Sequence, residues 1–477
     1  VISESQERRI DSMWDEQIIP ALTEYIRIPN KSPAFDPEWA ANGHMDRAVS
    51  LFAAWAEARL ASFPGAHLEV VRLPGRTPLL LIEIPGTAAG TVLLYGHLDK
   101  QPEMAGWAEG TGPWQPVLRD GRLFGRGGAD DGYAMFGALA ALLALQESGQ
   151  ARARCVLLIE ASEESGSPDL PPYIEHLGTR IGEPDLVVCL DSGAGNYDQL
   201  WLTTSLRGLV IGTLTVRVLD QGQHSGSASG IVPSSFRILR TLLSRIEDEA
   251  SGRILLPELQ IALAPEQRRQ AQRAAAILGD CLWTEMPWSG RTRPTASDAT
   301  SLIIARSWEP QLAITAIEGY PTVKNGGNVL LPFTSAKLSV RLPPGVNAMH
   351  AAAALKRSLE RDPPYDASVS FELSGADAGW SAPPLAPWLE KAVEAASEAV
   401  FGRAAAFQGE GGSIPFMAML GARFPSTQFV ITGVLGPQSN AHGPNEFLHI
   451  AYAKRLTACI ASILADHARQ SHSSSCQ

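Results

Sequence analysis

Four short apolar runs, at residues 79–84, 91–95, 155–159 and 186–190, constrain the fold of this chain more than any other feature. A strand that is apolar along nearly its whole length is buried on both faces, which requires a sheet covered by helices. Helical tracts alternate with these runs. Ile10, Trp14, Ile18, Leu22 and Ile26 recur at helical spacing, and residues 132–145 form a second helix of small and apolar side chains. After about Ser205 the pattern changes. Residues 209–219, 337–342 and 368–373 read as half-buried strands, and residues 234–249 and 347–360 as amphipathic helices. That interleaving predicts a smaller α+β layer. The first pattern returns with a helix at 388–401, a strand at 428–432 and a closing helix at 451–467, before a Ser-rich tail at 472–477 that reads as disordered. The tract 252–307 is polar and mixed and suggests no element. The reading is an α/β domain in two pieces, 1–205 and 383–477, with a second domain, 206–382, inserted between them.

A chain of 477 residues is long enough for two domains. The net charge of −11 argues against nucleic acid as a partner, since a phosphate backbone calls for a basic surface. No apolar stretch is long enough to span a bilayer, so a membrane is not expected either. Five scattered cysteines without a CxxC pair read as reduced thiols, and the expected location is cytoplasmic.

The residues with chemical potential fall where such runs end. His97 follows the run at 91–95, and ligands of open α/β sheets gather at the carboxyl ends of strands. A neutral imidazole there can bind zinc, with Asp99 holding its other ring nitrogen; a locally hydrogen-bonded His is the plainer alternative. Gly125-Arg-Gly-Gly-Ala-Asp130-Asp131-Gly132 is a small-residue loop entering a helix. It lacks the Lys-Ser/Thr of a phosphate loop, which leaves a helix cap or a carboxylate shared by two cations. Glu163 and Glu164 follow the run at 155–159, and Asp191 ends the run at 186–190. One carboxylate of an adjacent pair can bind metal while the other accepts a proton from water. His442 lies in a loop rich in Gly, Pro and Asn. Each residue alone has an ordinary structural explanation, but together they form a coherent donor set.

The motifs GHLD, GRGGADDG, EESGS, QHSG, VRLPP, EGGSIP and NAHGPNE, with the strand end at Asp191, occur in this order. In that order the chain resembles the zinc exopeptidases that include cytosolic non-specific dipeptidase (carnosinase), acetylornithine deacetylase and succinyl-diaminopimelate desuccinylase. The carnosinase-like dipeptidase branch is the nearest in pattern. The resemblance implies a phosphorylase/hydrolase-like zinc peptidase domain, a mixed sheet flanked by helices, with an inserted ferredoxin-like lid that also forms a homodimer. It implies two divalent metal ions, zinc foremost with manganese or cobalt as alternatives. Asp130 would bridge them, with His97 and Asp191 completing one position and Glu164 and His442 the other. Glu163 would be the general base and Asp99 the residue that orients His97. His224 would reach the active site of the partner subunit, and Arg341 would grip the substrate carboxylate, a task that suits a guanidinium. Gly412, Ser413 and Asn328 would contact substrate, although residues 324–328 and 192–193 depart from the carnosinase-like pattern. The implied activity is hydrolysis of dipeptides or short peptides with a free C-terminal carboxylate. The alternative is an N-acyl-amino-acid deacylase using the same metals.

Overall fold

The computed structural model describes residues 1–412 and 414–474. They divide into two compact units: Val1–Thr203 with Ala382–Gln408 and Met419–Gln477, and Thr204–Ser381 with Gly409–Ala418.

The first unit is built on a six-stranded mixed sheet. Its order is His67–Val71, Leu79–Ile84, Arg154–Glu160, Thr91–His97, Leu186–Cys189 and Gln428–Ile431. The first three strands pair antiparallel, and the last four run parallel to one another. Residues 92–97 and 155–160 are buried throughout, as apolar runs at the middle of a covered sheet must be. The helix Tyr133–Glu147 is buried from Tyr133 to Leu145, because it is apolar all round and serves as a core element. The helices Glu4–Met13 and Ile450–Ser474 pack against it, and Pro387–Phe401 packs against Ile450–Ser474. Each large aliphatic side chain buried this way contributes about 1.5–3 kcal/mol.

The N-terminal helical stripe is buried at Ile10, Trp14, Ile18, Leu22 and Ile26. It is interrupted by one wide turn, Trp14–Ile18, just before Pro20. Proline has no N–H to donate to the preceding turn, which accounts for the irregularity. The closing helix reaches Ser474, three residues into the tail 472–477 that composition alone marks as disordered; Cys476 lies outside the described residues.

The second unit contains a four-stranded antiparallel sheet in the order Gln311–Glu318, Phe333–Leu342, Gly208–Arg217, Ser368–Asp377. Along the chain the elements run strand, helix Ser235–Leu243, two strands, helix Ala348–Glu360, strand, which is the ferredoxin-like arrangement. Gly208–Arg217 alternates buried and half-buried residues, so one sheet face packs on the helices through Val210, Leu214, Leu338, Ile238, Leu242 and Leu355. Both helices begin at capping side chains: Ser234 accepts from the Arg237 N–H and Asn347 from the His350 N–H. The tract 252–307, where sequence suggested no element, contains the helices Pro265–Leu278 and Ala299–Ser307. No described helix is long and apolar enough to cross a membrane.

Candidate metal centre

Three adjacent parallel strands determine where the donors meet. Thr91–His97 ends on His97, Arg154–Glu160 leads into Glu163 and Glu164, and Leu186–Cys189 leads to Asp191. Because the strands run the same way, all three carboxyl-end loops emerge at one edge of the sheet. The fourth parallel strand, Gln428–Ile431, leads to the loop that carries His442. Asp130 enters from the turn preceding the helix Tyr133–Glu147, where the Asp130–Asp131 peptide is cis.

Two donor groups result, His97 with Asp130 and Asp191, and Asp130 with Glu164 and His442. His97 Nε2 lies 3.4 Å from Asp130 Oδ1 and 3.7 Å from Asp191 Oδ2. His442 Nε2 lies 3.0 Å from Asp130 Oδ2 and 3.3 Å from Glu164 Oε2. The two oxygens of Asp130 thus face different histidines. His97 Nε2 and Glu164 Oε1 are buried without a hydrogen-bond partner. Orphaned buried acceptors cost free energy unless something satisfies them, and a divalent cation would do so. Imidazole nitrogen and carboxylate oxygen suit zinc, manganese and cobalt. The residues present therefore fit two divalent cations.

The ligands are braced by neighbours. Asp99, fully buried, accepts from the backbone N–H groups of Glu163 at 3.1 Å and Glu164 at 3.0 Å. Its Oδ1 also lies 3.5 Å from His97 Nδ1. One carboxylate thus spans the strand end that carries His97 and the turn that carries the two glutamates. Asp131 Oδ2 accepts from the His97 N–H, and the Gln101 side-chain amide donates to Glu164 Oε2 at 2.6 Å. Glu163 Oε2 is 3.9 Å from His97 Nε2, at the border of the first group.

Crowded acids in a buried site repel one another and hold protons. Burial and the nearby Asp191 push the Glu163 carboxyl well above the usual range, with His97 opposing. Burial and Asp130 do the same to Glu164. Burial would lower the His97 imidazole, but Asp191, Asp130 and Asp99 outweigh it and raise His97 well above its ordinary value. Asp130 is shifted the other way: burial opposes ionisation, but His442 and His97 hold the carboxyl below its usual range. A bound cation replaces those protons and reverses the logic for the acids.

Several residues of this neighbourhood carry no signal in simple motif reading. Asp131, Arg126 and Glu446 lie inside the motifs and Gln101 lies two residues past GHLD, but their partners are distant in sequence. Lys100 is fully buried and donates to the Tyr25 and Ile28 carbonyls, each at 2.8 Å, at the end of the helix Ile19–Ile26. Burial lowers its pKa well below that of an ordinary lysine.

The remaining candidates lie in the second unit. His224 is exposed on a short strand paired with Val329, and the Asn328 carbonyl accepts from the Ser225 N–H, so His224 and Asn328 are neighbours. Arg341 is half-buried, opposite Leu209 and Gln311 in the sheet. Gly412 is exposed and its carbonyl accepts from the Arg207 N–H. Ser413 lies outside the described residues.

Residues 93–466 match the family described as Peptidase family M20/M25/M40. The chain belongs to this family and is a metal-dependent peptidase. It is 26% identical over 452 residues to the cysteinylglycine-S-conjugate dipeptidase of Corynebacterium striatum, covering 92% of this chain and 94% of that protein. It is 28% identical over 368 residues to the human Beta-Ala-His dipeptidase, covering 72% and 68%. Among solved structures, human carnosine dipeptidase 1 matches with a TM-score of 0.76 at 23% identity, over 98% of this chain and 99% of that one. The metallo-carboxypeptidase Sso-CP2 of Sulfolobus solfataricus matches with 0.77 at 21%, over 94% and 99%. At these identities the two structures speak for the fold.

Proposed function

We propose that this chain is a di-metal dipeptidase acting on dipeptides or short peptides with a free C-terminal carboxylate. The observation that carries the reading is Asp130, whose two carboxylate oxygens each face a separate donor group. That these relatives are dipeptidases supports peptide rather than acyl-amino-acid substrates for this chain.

In this reading His97, Asp130 and Asp191 hold one divalent cation, and Asp130, Glu164 and His442 the other. Bound there, the cations would supply Lewis acidity, lowering the pKa of water and polarising the scissile carbonyl. Glu163 accepts the proton of the attacking water at its carboxylate and returns it to the leaving amine. Asp99 orients His97 and, through the two N–H groups it accepts from, keeps Glu163 in place. The inserted tract 206–382 acts as lid and dimerisation domain. His224, delivered to the partner subunit's site, donates to the developing oxyanion. Arg341 pairs with the substrate carboxylate, with Gly412, Ser413 and Asn328 nearby. Zinc is the leading candidate for the metal.

The test is a substrate panel. The protein would be stripped with a chelator, reloaded with zinc, manganese or cobalt, and assayed on dipeptides beside N-acetyl and N-succinyl amino acids. Dipeptide cleavage that disappears on stripping and returns with metal is the expected result. Faster release of the acyl amino acids would replace this reading with the deacylase.

A further inference from the structure

Arg126 and Glu446 form a charged pair in which the two side chains are only 1% and 0% exposed. Nothing in the chemistry above uses them. Burying two charges is costly, and a pair of this kind is retained where it fixes a geometry. Here the partners identify that geometry. Arg126 Nη1 donates to Glu446 Oε2 at 2.6 Å, its Nη2 to the Gly443 carbonyl at 2.8 Å and its Nε to the Pro102 carbonyl at 3.2 Å. The other oxygen of Glu446 accepts from the N–H groups of Gly127 at 3.0 Å and of Ala129 and Asp130 at 3.3 Å each. The Glu446 carbonyl accepts from the Gly125 N–H.

These bonds join the loop of Asp130 to the loop of His442. Gly443 adjoins His442, and one of the N–H groups held by Glu446 is that of Asp130 itself. The contact with Pro102 adds the segment of Gln101, whose amide holds Glu164. All three donors of the second group are therefore tied to the pair: Asp130 directly, His442 through Gly443, and Glu164 through Pro102 and Gln101. The first group differs: His97 ends a central strand and Asp191 follows the adjacent strand closely, so the sheet positions both. His442, by contrast, lies in an irregular loop, with left-handed backbone at Asn440, His442 and Asn445.

We propose that Arg126 and Glu446 are positioning residues for the cation position formed by Asp130, Glu164 and His442, and that the position formed by His97, Asp130 and Asp191 depends on them much less. This rests on the two-metal reading above. Outer-shell partners of metal ligands typically matter by about 10–100-fold in affinity, and that loss is expected at one position only.

The experiment is titration of the metal-free full chain with Co2+, followed by visible absorption and by competition with a chromophoric chelator, so that each position is read without an activity assay. Arg126→Lys keeps a charge but cannot serve three segments at once. Glu446→Gln keeps the shape and removes the charge, and is the second variant should the first fail to fold. The expected result in a folded variant, checked by circular dichroism, is two Co2+ sites of which the weaker-binding one has lost about 10–100-fold while the other is within about threefold of wild type. His442→Ala should remove the same site, which assigns it. Equal weakening of both sites, or no change in either, overturns the proposal. Uptake of no more than one Co2+ by the wild-type chain overturns the two-metal reading itself, and this inference with it.

Discussion

Glu163 and Glu164 have the same chemistry and different surroundings. The Glu164 side chain is 3% exposed, receives the Gln101 amide and lies against His442. The Glu163 side chain is 12% exposed and approaches His97 only at 3.9 Å. The more enclosed carboxylate is suited to hold a cation, and the freer one to exchange protons. Replacing Glu163 by Gln preserves size and removes the basic oxygen. It should lower kcat by about 10²–10⁴-fold while elemental analysis still finds two metal ions per chain. Near-normal turnover, or loss of metal, would remove Glu163 from the role of base. The adjacent acids were legible in sequence through their place after an apolar run. The division of labour proposed for them came only through the resemblance, because from the residues alone it depends on Gln101 and His442, both remote from the pair in sequence.

The strand is the element that makes the centre readable. Leu79–Ile84 is observed with the bounds its apolar run suggests, and the runs at 91–95, 155–159 and 186–190 fall within or overlap observed strands. Apolar strands that end in His, Glu or Asp point to one edge only if they run parallel, and pairing direction is a tertiary property. Helices of the inserted unit were less legible. The amphipathic pattern at 234–249 yields a helix of only Ser235–Leu243, and the mixed tract after it hides Pro265–Leu278, a helix whose surface is mostly polar. Strand-end clustering also has a titration consequence. His97, Glu164, Asp191 and His442 all have raised proton affinity, and each must be deprotonated to bind metal. Protons held more tightly in the metal-free fold are lost on loading, so metal affinity should increase with pH. Calorimetry of Zn2+ binding in buffers of different ionisation enthalpy should show release of about one proton or more per cation. Binding that is independent of buffer and pH would contradict the protonation pattern.

On the scale of the whole molecule, the proposed reaction requires two chains. His224 is exposed, as a group acting on a partner must be before assembly. If the site is shared, His224→Ala and Glu163→Gln each abolish most activity, yet mixing the two and exchanging subunits should restore part of it. One mixed site would then combine an intact His224 with an intact Glu163. Mixtures that stay inactive although exchange is demonstrated would confine catalysis to single chains. No sequence pattern in one chain can show such sharing, because the distance that matters is between copies.

The donors of the centre are spread from His97 to His442, and only one of them lies in the last piece of the chain. During synthesis, His97, Asp130 and Asp191 have all emerged long before His442. A growing polypeptide therefore owns the complete donor set of one cation position while the other still lacks a member. On the two-metal reading proposed above, the strand-end position has its whole donor set synthesised first, and the loop position gains its last donor with the same stretch of chain that completes the domain.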